Sequence, residues 1–114
     1  MDEFDMLRSA YRDFNARRIE SVLALMSPDV AWANGMEGGH VHGVDAVREY
    51  WKRQFAILDP HVEPIGIAQQ ADGRFEMHVH QTVHDLQGKL LADTEVKHFY
   101  TIENSLIARM DIGS

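Results

Sequence analysis

The chain has no cysteine among its 114 residues, which excludes a disulfide framework, a thiol nucleophile and a cysteine metal site. It is also short of positive charge, with 11 lysines and arginines against 18 acidic residues and a formal net charge of -7. Nucleic acids and anionic membranes are bound by basic faces that neutralise phosphates, so neither is expected as a partner. No apolar run approaches the roughly 20 residues that span a bilayer. The acidic stretch Asp2-Glu3-Phe4-Asp5 lacks the basic and then apolar layout of a signal peptide. A cytoplasmic location is the expectation.

What is present has the balance of an ordinary globular protein, 45% hydrophobic and 25% charged. One domain over residues 1–114 follows from the length and from the absence of repeats, linkers and low-complexity tracts. Phe4, Leu7, Tyr11 and Phe14 recur at spacings of three and four, predicting a helix from about Asp2 to Phe14. Ile19, Val22, Leu23 and Met26 predict a second, shorter helix that stops by Ser27, ahead of Pro28. Val30 to Asn34 reads as a short strand, and Gly35 to His40 as a glycine-rich loop. A third helix is expected with Asp45 as its cap and with Val47, Tyr50, Trp51, Gln54, Phe55 and Leu58 on its buried side, ending at Asp59-Pro60. The period then changes from 3.6 to 2, with strands at about 62–70, 74–86, 89–103 and 106–112. Short turn-forming segments separate them, so the second half is an antiparallel meander.

The segments Asn15-Ala16, Ser21 to Val30 and Gly43 to Trp51 resemble the NTF2-like superfamily, which includes ketosteroid isomerases and SnoaL-like polyketide cyclases. The resemblance implies an α+β fold of the NTF2-like cone type, with three N-terminal helices packed on a curved, mostly antiparallel sheet around a small-molecule pocket. It also implies a homodimer. In the isomerases an aspartate moves the proton, while a tyrosine and a protonated aspartate hold the enolate oxygen. Laid over this chain without gaps, that pattern puts Asn34 at the base position, and an amide is no base at neutral pH. It puts Ala10 at the tyrosine position, with Tyr11 able to substitute if the helix is rotated, and Lys97 at the protonated aspartate. The resemblance therefore implies the fold and the pocket but argues against steroid isomerisation by the familiar route.

If Gln87-Gly88 is a two-residue turn, His84, Thr82, His80 and His78 stand opposite Leu91, Asp93, Glu95 and Lys97 on one sheet face. The other face carries Phe75, Met77, Val79, Gln81 and Val83 and is the more apolar. Alignment with the isomerases turns the histidine face, His78 and Lys97 included, towards the pocket. The apolar face is left outside for a second copy to cover, which makes the outer sheet face the expected dimer interface. His80 beside Glu95 is then a candidate acid–base dyad for cofactor-independent isomerase-, cyclase- or hydrolase-like chemistry, since a carboxylate fixes the imidazole tautomer. The competing reading is a satisfied polar contact in a non-catalytic ligand-binding or dimerisation domain. His78, His80 and Glu95 also have the donor types of a metal site. However, alternation separates the two imidazoles by about 7 Å and Lys97 repels a cation, so neither metal nor cofactor is assigned. Trp32, Asn34, Tyr50, Trp51 and Phe55 are candidate pocket residues, with core packing as the alternative for the aromatics. On the last strand Asp111 is a candidate too, though Met110 and Ile112 compete for the same side because the preceding turn leaves the register open. His40 and His42 suit a pocket rim, and His61 and His98 have no distinctive context.

Overall fold

The computed structural model describes residues 2–113. Helix α1 spans Glu3–Asn15, started by the Asp2 carboxylate, which accepts a hydrogen bond from Asp5 N at 2.8 Å. Its buried side carries Met6, Leu7, Ala10 and Tyr11. Helix α2 is only Ile19–Leu23. Met26, expected on its stripe, instead opens strand β1 (Met26–Ala33), where it pairs with Ile107. Strand β2 (His40–His42) takes the end of the expected glycine loop and pairs with β1, His40 opposite Ala33.

Helix α3 spans Val44–Ile57 and buries Val47, Tyr50 and Trp51. Its cap differs from expectation: Gly43 holds the cap position at φ 90°, with no side-chain cap bond. Asp45 sits in the first turn, where it accepts from Arg48 Nη1 at 2.6 Å. Arg48 also reaches both carboxylate oxygens of Glu20 at 2.8 and 2.9 Å, tying α3 to α2.

The meander consists of β3 (Leu58–Gln69), β4 (Phe75–Asp85), β5 (Leu90–Glu103) and β6 (Leu106–Gly113). The sheet order is β2-β1-β6-β5-β4-β3. The β1–β6 pair is parallel and the others antiparallel, so β2 and β3 form the two edges of an open sheet. Register shifts at Pro64/Gly66, Val83/His84 and Thr101/Ile102 bend it. Helix α1 packs on β3, and α3 on β1, β2 and β3, so all three helices lie over one side. No helix among the described residues is long and apolar enough to cross a membrane.

The register across β4 and β5 is as expected for Thr82 opposite Asp93, His80 opposite Glu95 and His78 opposite Lys97, but residues 86–89 form a four-residue turn and a shift between Val83 and His84 sets His84 opposite Leu90 rather than Leu91. The face assignment is not. Phe75, Met77 and Val79 are 5%, 0% and 0% exposed and belong to the chain's own core, with Tyr100 and His98 opposite. The histidine face looks away from the helices. The reason is burial: the row with the larger apolar area closes against α1 and α3, and the row of imidazoles and carboxylates keeps its water. Met77 and Val79 are therefore unavailable as a dimer interface.

Candidate functional site

Between the helices and the inner sheet face lies a cavity with about 90 Å³ of room for the centre of a water molecule. That is several times the roughly 10–15 Å³ one buried water needs. Its walls are aromatic. The Trp32 ring meets Trp51 edge-on at 5.4 Å and Tyr100 at 6.1 Å, and Phe14 meets Trp51 at 5.3 Å. Gly35 and Ile112 line it and are both exposed, so they form its mouth. There Tyr50 Oη accepts a hydrogen bond from Gly35 N at 3.1 Å.

Besides Tyr50 and Gln54, the polar lining of the cavity is a chain of three side chains. Tyr11 points from the buried side of α1, while His98 and Tyr100 share the inner face of β5 because they are two residues apart. Tyr11 Oη lies 2.7 Å from His98 Nδ1 and 2.8 Å from Tyr100 Oη. Burial pushes the His98 imidazolium down to about 4, so the ring is neutral at neutral pH. Burial also raises both phenols; for Tyr11 the neighbouring Tyr100 adds to the effect. Among the described residues, no carboxylate, lysine or arginine lines the cavity. The arrangement offers a ligand an aromatic slot and an uncharged cluster of donors and acceptors. Within it, His98 is the group best able to accept a proton near neutral pH.

Of the residues expected in the pocket, Trp32, Tyr50 and Trp51 line it. Asn34 does not: its Oδ1 accepts from Met36 N at 3.0 Å and Glu37 N at 2.9 Å, capping the glycine loop. Phe55 packs beside the cavity against Phe14, with the Arg17 guanidinium 4.4 Å from its ring centre. Asp111 is on the outer side, bonded to His40 Nε2 at 2.8 Å and Arg109 Nε at 2.9 Å. Met110 and Ile112 take the cavity side in its place. His78, His80, Glu95 and Lys97 are all on the outer face. There His78 Nε2 meets Glu95 at 2.9 Å, His80 Nε2 meets Asp93 at 2.6 Å, and Lys97 Nζ lies 3.9 Å from Glu76. His80 and Glu95 thus face each other in register but hold different partners, because the side chains lean diagonally across the strands.

His98 and Tyr100 were not assigned to the site from sequence, and Tyr11 only as a substitute at the isomerase tyrosine position. The available signal was alternation: once Phe75, Met77 and Val79 are taken as buried, their partners on β5 must be buried too.

Comparison by sequence with curated proteins gives no match. Among solved structures, the chain is similar to an NTF2-like protein of unknown function from Burkholderia pseudomallei, with 23% identity, 96% of this chain and 88% of that one covered, and a TM-score of 0.84. It is also similar to TerC co-crystallised with polyporic acid, at 26% identity, 96% and 88% coverage and a TM-score of 0.83. A Mycobacterium tuberculosis protein in complex with estradiol-17beta-hemisuccinate is 18% identical, with 97% and 92% covered and a TM-score of 0.83. The model of the SnoaL-like domain matches residues 7–110, nearly the whole of the sheet and its helices. The chain belongs to the SnoaL-like domain family and shares its fold with an NTF2-like protein.

Proposed function

We propose that the protein binds a small, uncharged, largely aromatic organic molecule in the inner cavity, with a ligand oxygen held by the Tyr11–His98–Tyr100 cluster. The observation that carries this reading is a cavity walled by Trp32, Trp51 and Phe14 that holds the hydrogen-bonded Tyr11–His98–Tyr100 cluster and, among the described residues, no charged side chain. A charged ligand would lose its hydration without gaining a counter-ion, whereas a neutral ring system with one carbonyl or hydroxyl gains stacking and a hydrogen bond. TerC with polyporic acid and the Mycobacterium tuberculosis protein with estradiol-17beta-hemisuccinate lend support to small-molecule binding on this scaffold, though not to the absence of charge.

The test uses 2-naphthol, a neutral bicyclic phenol, titrated by its fluorescence. The expected result is saturable binding that Trp32→Ala and Tyr11→Phe each weaken about tenfold or more. Affinity unchanged in both variants would place the ligand elsewhere and sink this reading.

Self-association through the outer sheet face is part of the same proposal. That face carries His78, His80 and Lys97 among Glu76, Asp93 and Glu95, a row of both signs that a two-fold copy complements. Sedimentation should then give a dimer that His78→Glu combined with His80→Glu converts to monomer; a wild-type monomer would refute it.

A further inference from the structure

The hydrogen-bonded chain at the base of the cavity has a property that single donors lack. Two phenols and one neutral imidazole carry three polar protons, and the bonds Tyr100–Tyr11 and Tyr11–His98 consume two. One proton is left over, and its place depends on the direction of the chain. If Tyr100 donates to Tyr11 and Tyr11 to Nδ1, the free proton is on His98 Nε2 and the Tyr100 oxygen is a bare acceptor. If Nδ1–H donates to Tyr11 and Tyr11 to Tyr100, Nε2 is a bare base and the Tyr100 hydroxyl is a free donor. Nε2 has no hydrogen-bond partner among the described residues. None of their polar side-chain atoms that is shut off from solvent lacks a partner, so Nε2 is reached by solvent, and His98 lines the cavity.

We propose that His98, Tyr11 and Tyr100 form a two-way proton relay for a neutral, tautomerisable carbonyl compound, with His98 Nε2 taking a proton from the substrate as the Tyr100 hydroxyl gives one to its oxygen. The inference rests on the ligand-binding reading above and assigns it a reaction. A substrate C–H bond breaks and Nε2–H forms; Nδ1–H moves to the Tyr11 oxygen, the Tyr11 proton to Tyr100, and the Tyr100 proton to the carbonyl oxygen. The C–H electron pair becomes the C=C bond, and the carbonyl π pair forms the new O–H bond. Four protons move one place, nothing is oxidised, and the protein is left with its chain reversed. Return of the proton from Nε2 to carbon runs the chain back.

The cavity's chemistry favours this route over a base with an oxyanion hole. Among the described residues, no carboxylate lines it to serve as base and no cation lines it to hold an enolate, so an imidazolium–enolate pair would be two charges in an apolar site. In the relay every group gives a proton and takes one, and no charge separates. His98 and Tyr100 are the catalytic residues, and Tyr11 is the positioning residue that joins them.

The experiment follows α-hydrogen exchange of 2-tetralone, a neutral bicyclic ketone, in deuterium oxide at neutral pH, with binding read separately from quenching of tryptophan fluorescence. Wild-type protein is expected to raise the exchange rate about tenfold or more over buffer. His98→Gln and Tyr100→Phe are expected to return it to the buffer rate even at ketone concentrations that saturate each variant, Tyr100→Phe binding more weakly for the loss of its hydrogen bond. A purely structural role for Tyr100 would let exchange recover once the ketone saturates the site. Binding without exchange, or exchange that survives Tyr100→Phe, overturns the relay and leaves the ligand-binding reading standing; absence of binding overturns both. A ligand-free measurement stands beside it. Side-chain ¹⁵N shifts of His98 should report both neutral tautomers in wild type and only the Nε2–H form in Tyr100→Phe, where Tyr11 has no acceptor left but Nδ1. A wild-type ring already locked as Nε2–H would contradict a two-way chain.

Discussion

The two faces of the β4–β5 ribbon carry histidines in opposite circumstances. On the outer face of the single protomer His78 and His80 are half-exposed, each against a carboxylate. On the inner face His98 is 8% exposed, bonded to a phenol, and held neutral by burial. One residue type, on neighbouring strands of one ribbon, is a solvated ion-pair partner on one side and a buried neutral base on the other. The comparison teaches that the side with fewer titratable groups is the better candidate for proton chemistry, because desolvation is what perturbs them.

That contrast is open to attack by mutation and by pH. The largest effect is expected from Val79→Glu: an unpaired carboxylate at a fully buried inner-face position should cost more than about 4 kcal/mol and leave the chain largely unfolded by circular dichroism. A cooperative, near-wild-type melting curve would mean that the inner face is not core.

The next is a pH effect of known sign. The unfolded chain binds a proton at His98 near its ordinary value of 6.5, whereas the folded chain takes it up only at about 4. Between those values the unfolded state holds more protons, so this contribution is fully present above pH 6.5 and is lost as pH falls towards 4. The loss is roughly 3 kcal/mol. Urea midpoints against pH should show the fall in wild type and a flatter profile in His98→Phe; parallel profiles would assign the acid lability elsewhere.

Tyr11→Phe comes third. It removes both bonds of the inner cluster and leaves His98 Nδ1 and the Tyr100 hydroxyl without their protein partner, at about 1–3 kcal/mol in urea unfolding. The smallest effect belongs to the outer face, where His80→Ala should change stability by less than about 0.5 kcal/mol despite the short contact to Asp93. A loss comparable with that of Tyr11→Phe would erase the difference between the faces.

Much of the architecture is legible in the residues. The 3.6-residue spacing of Phe4, Leu7, Tyr11 and Phe14 specifies α1, and the period of two after Pro60 specifies the meander and even the pairing of His78 with Lys97. Tyr50 and Trp51 mark the buried side of α3, and with Trp32 they reach the cavity. The errors have local causes. Asn34 lies just past the end of β1, where its carbonyl caps a turn more readily than it fills a pocket. Asp111 follows a turn at Asn104 and Ser105, both at positive φ, and a one-residue slip there reverses every side chain downstream. Asp45 has the chemistry of a cap but stands two residues inside one that Gly43 supplies.

By itself the sequence determined which residues form helices and strands, how the meander is paired, and that the two sides of β4 differ in polarity. These follow from backbone periodicity and nearest-neighbour pairing, which are local. Only the tertiary structure decided which side the helices cover, and with it the placing of His98 between two tyrosines and of His80 in water. That choice depends on the area each face buries against elements distant in the chain, a quantity summed over the whole core and not carried by any one segment.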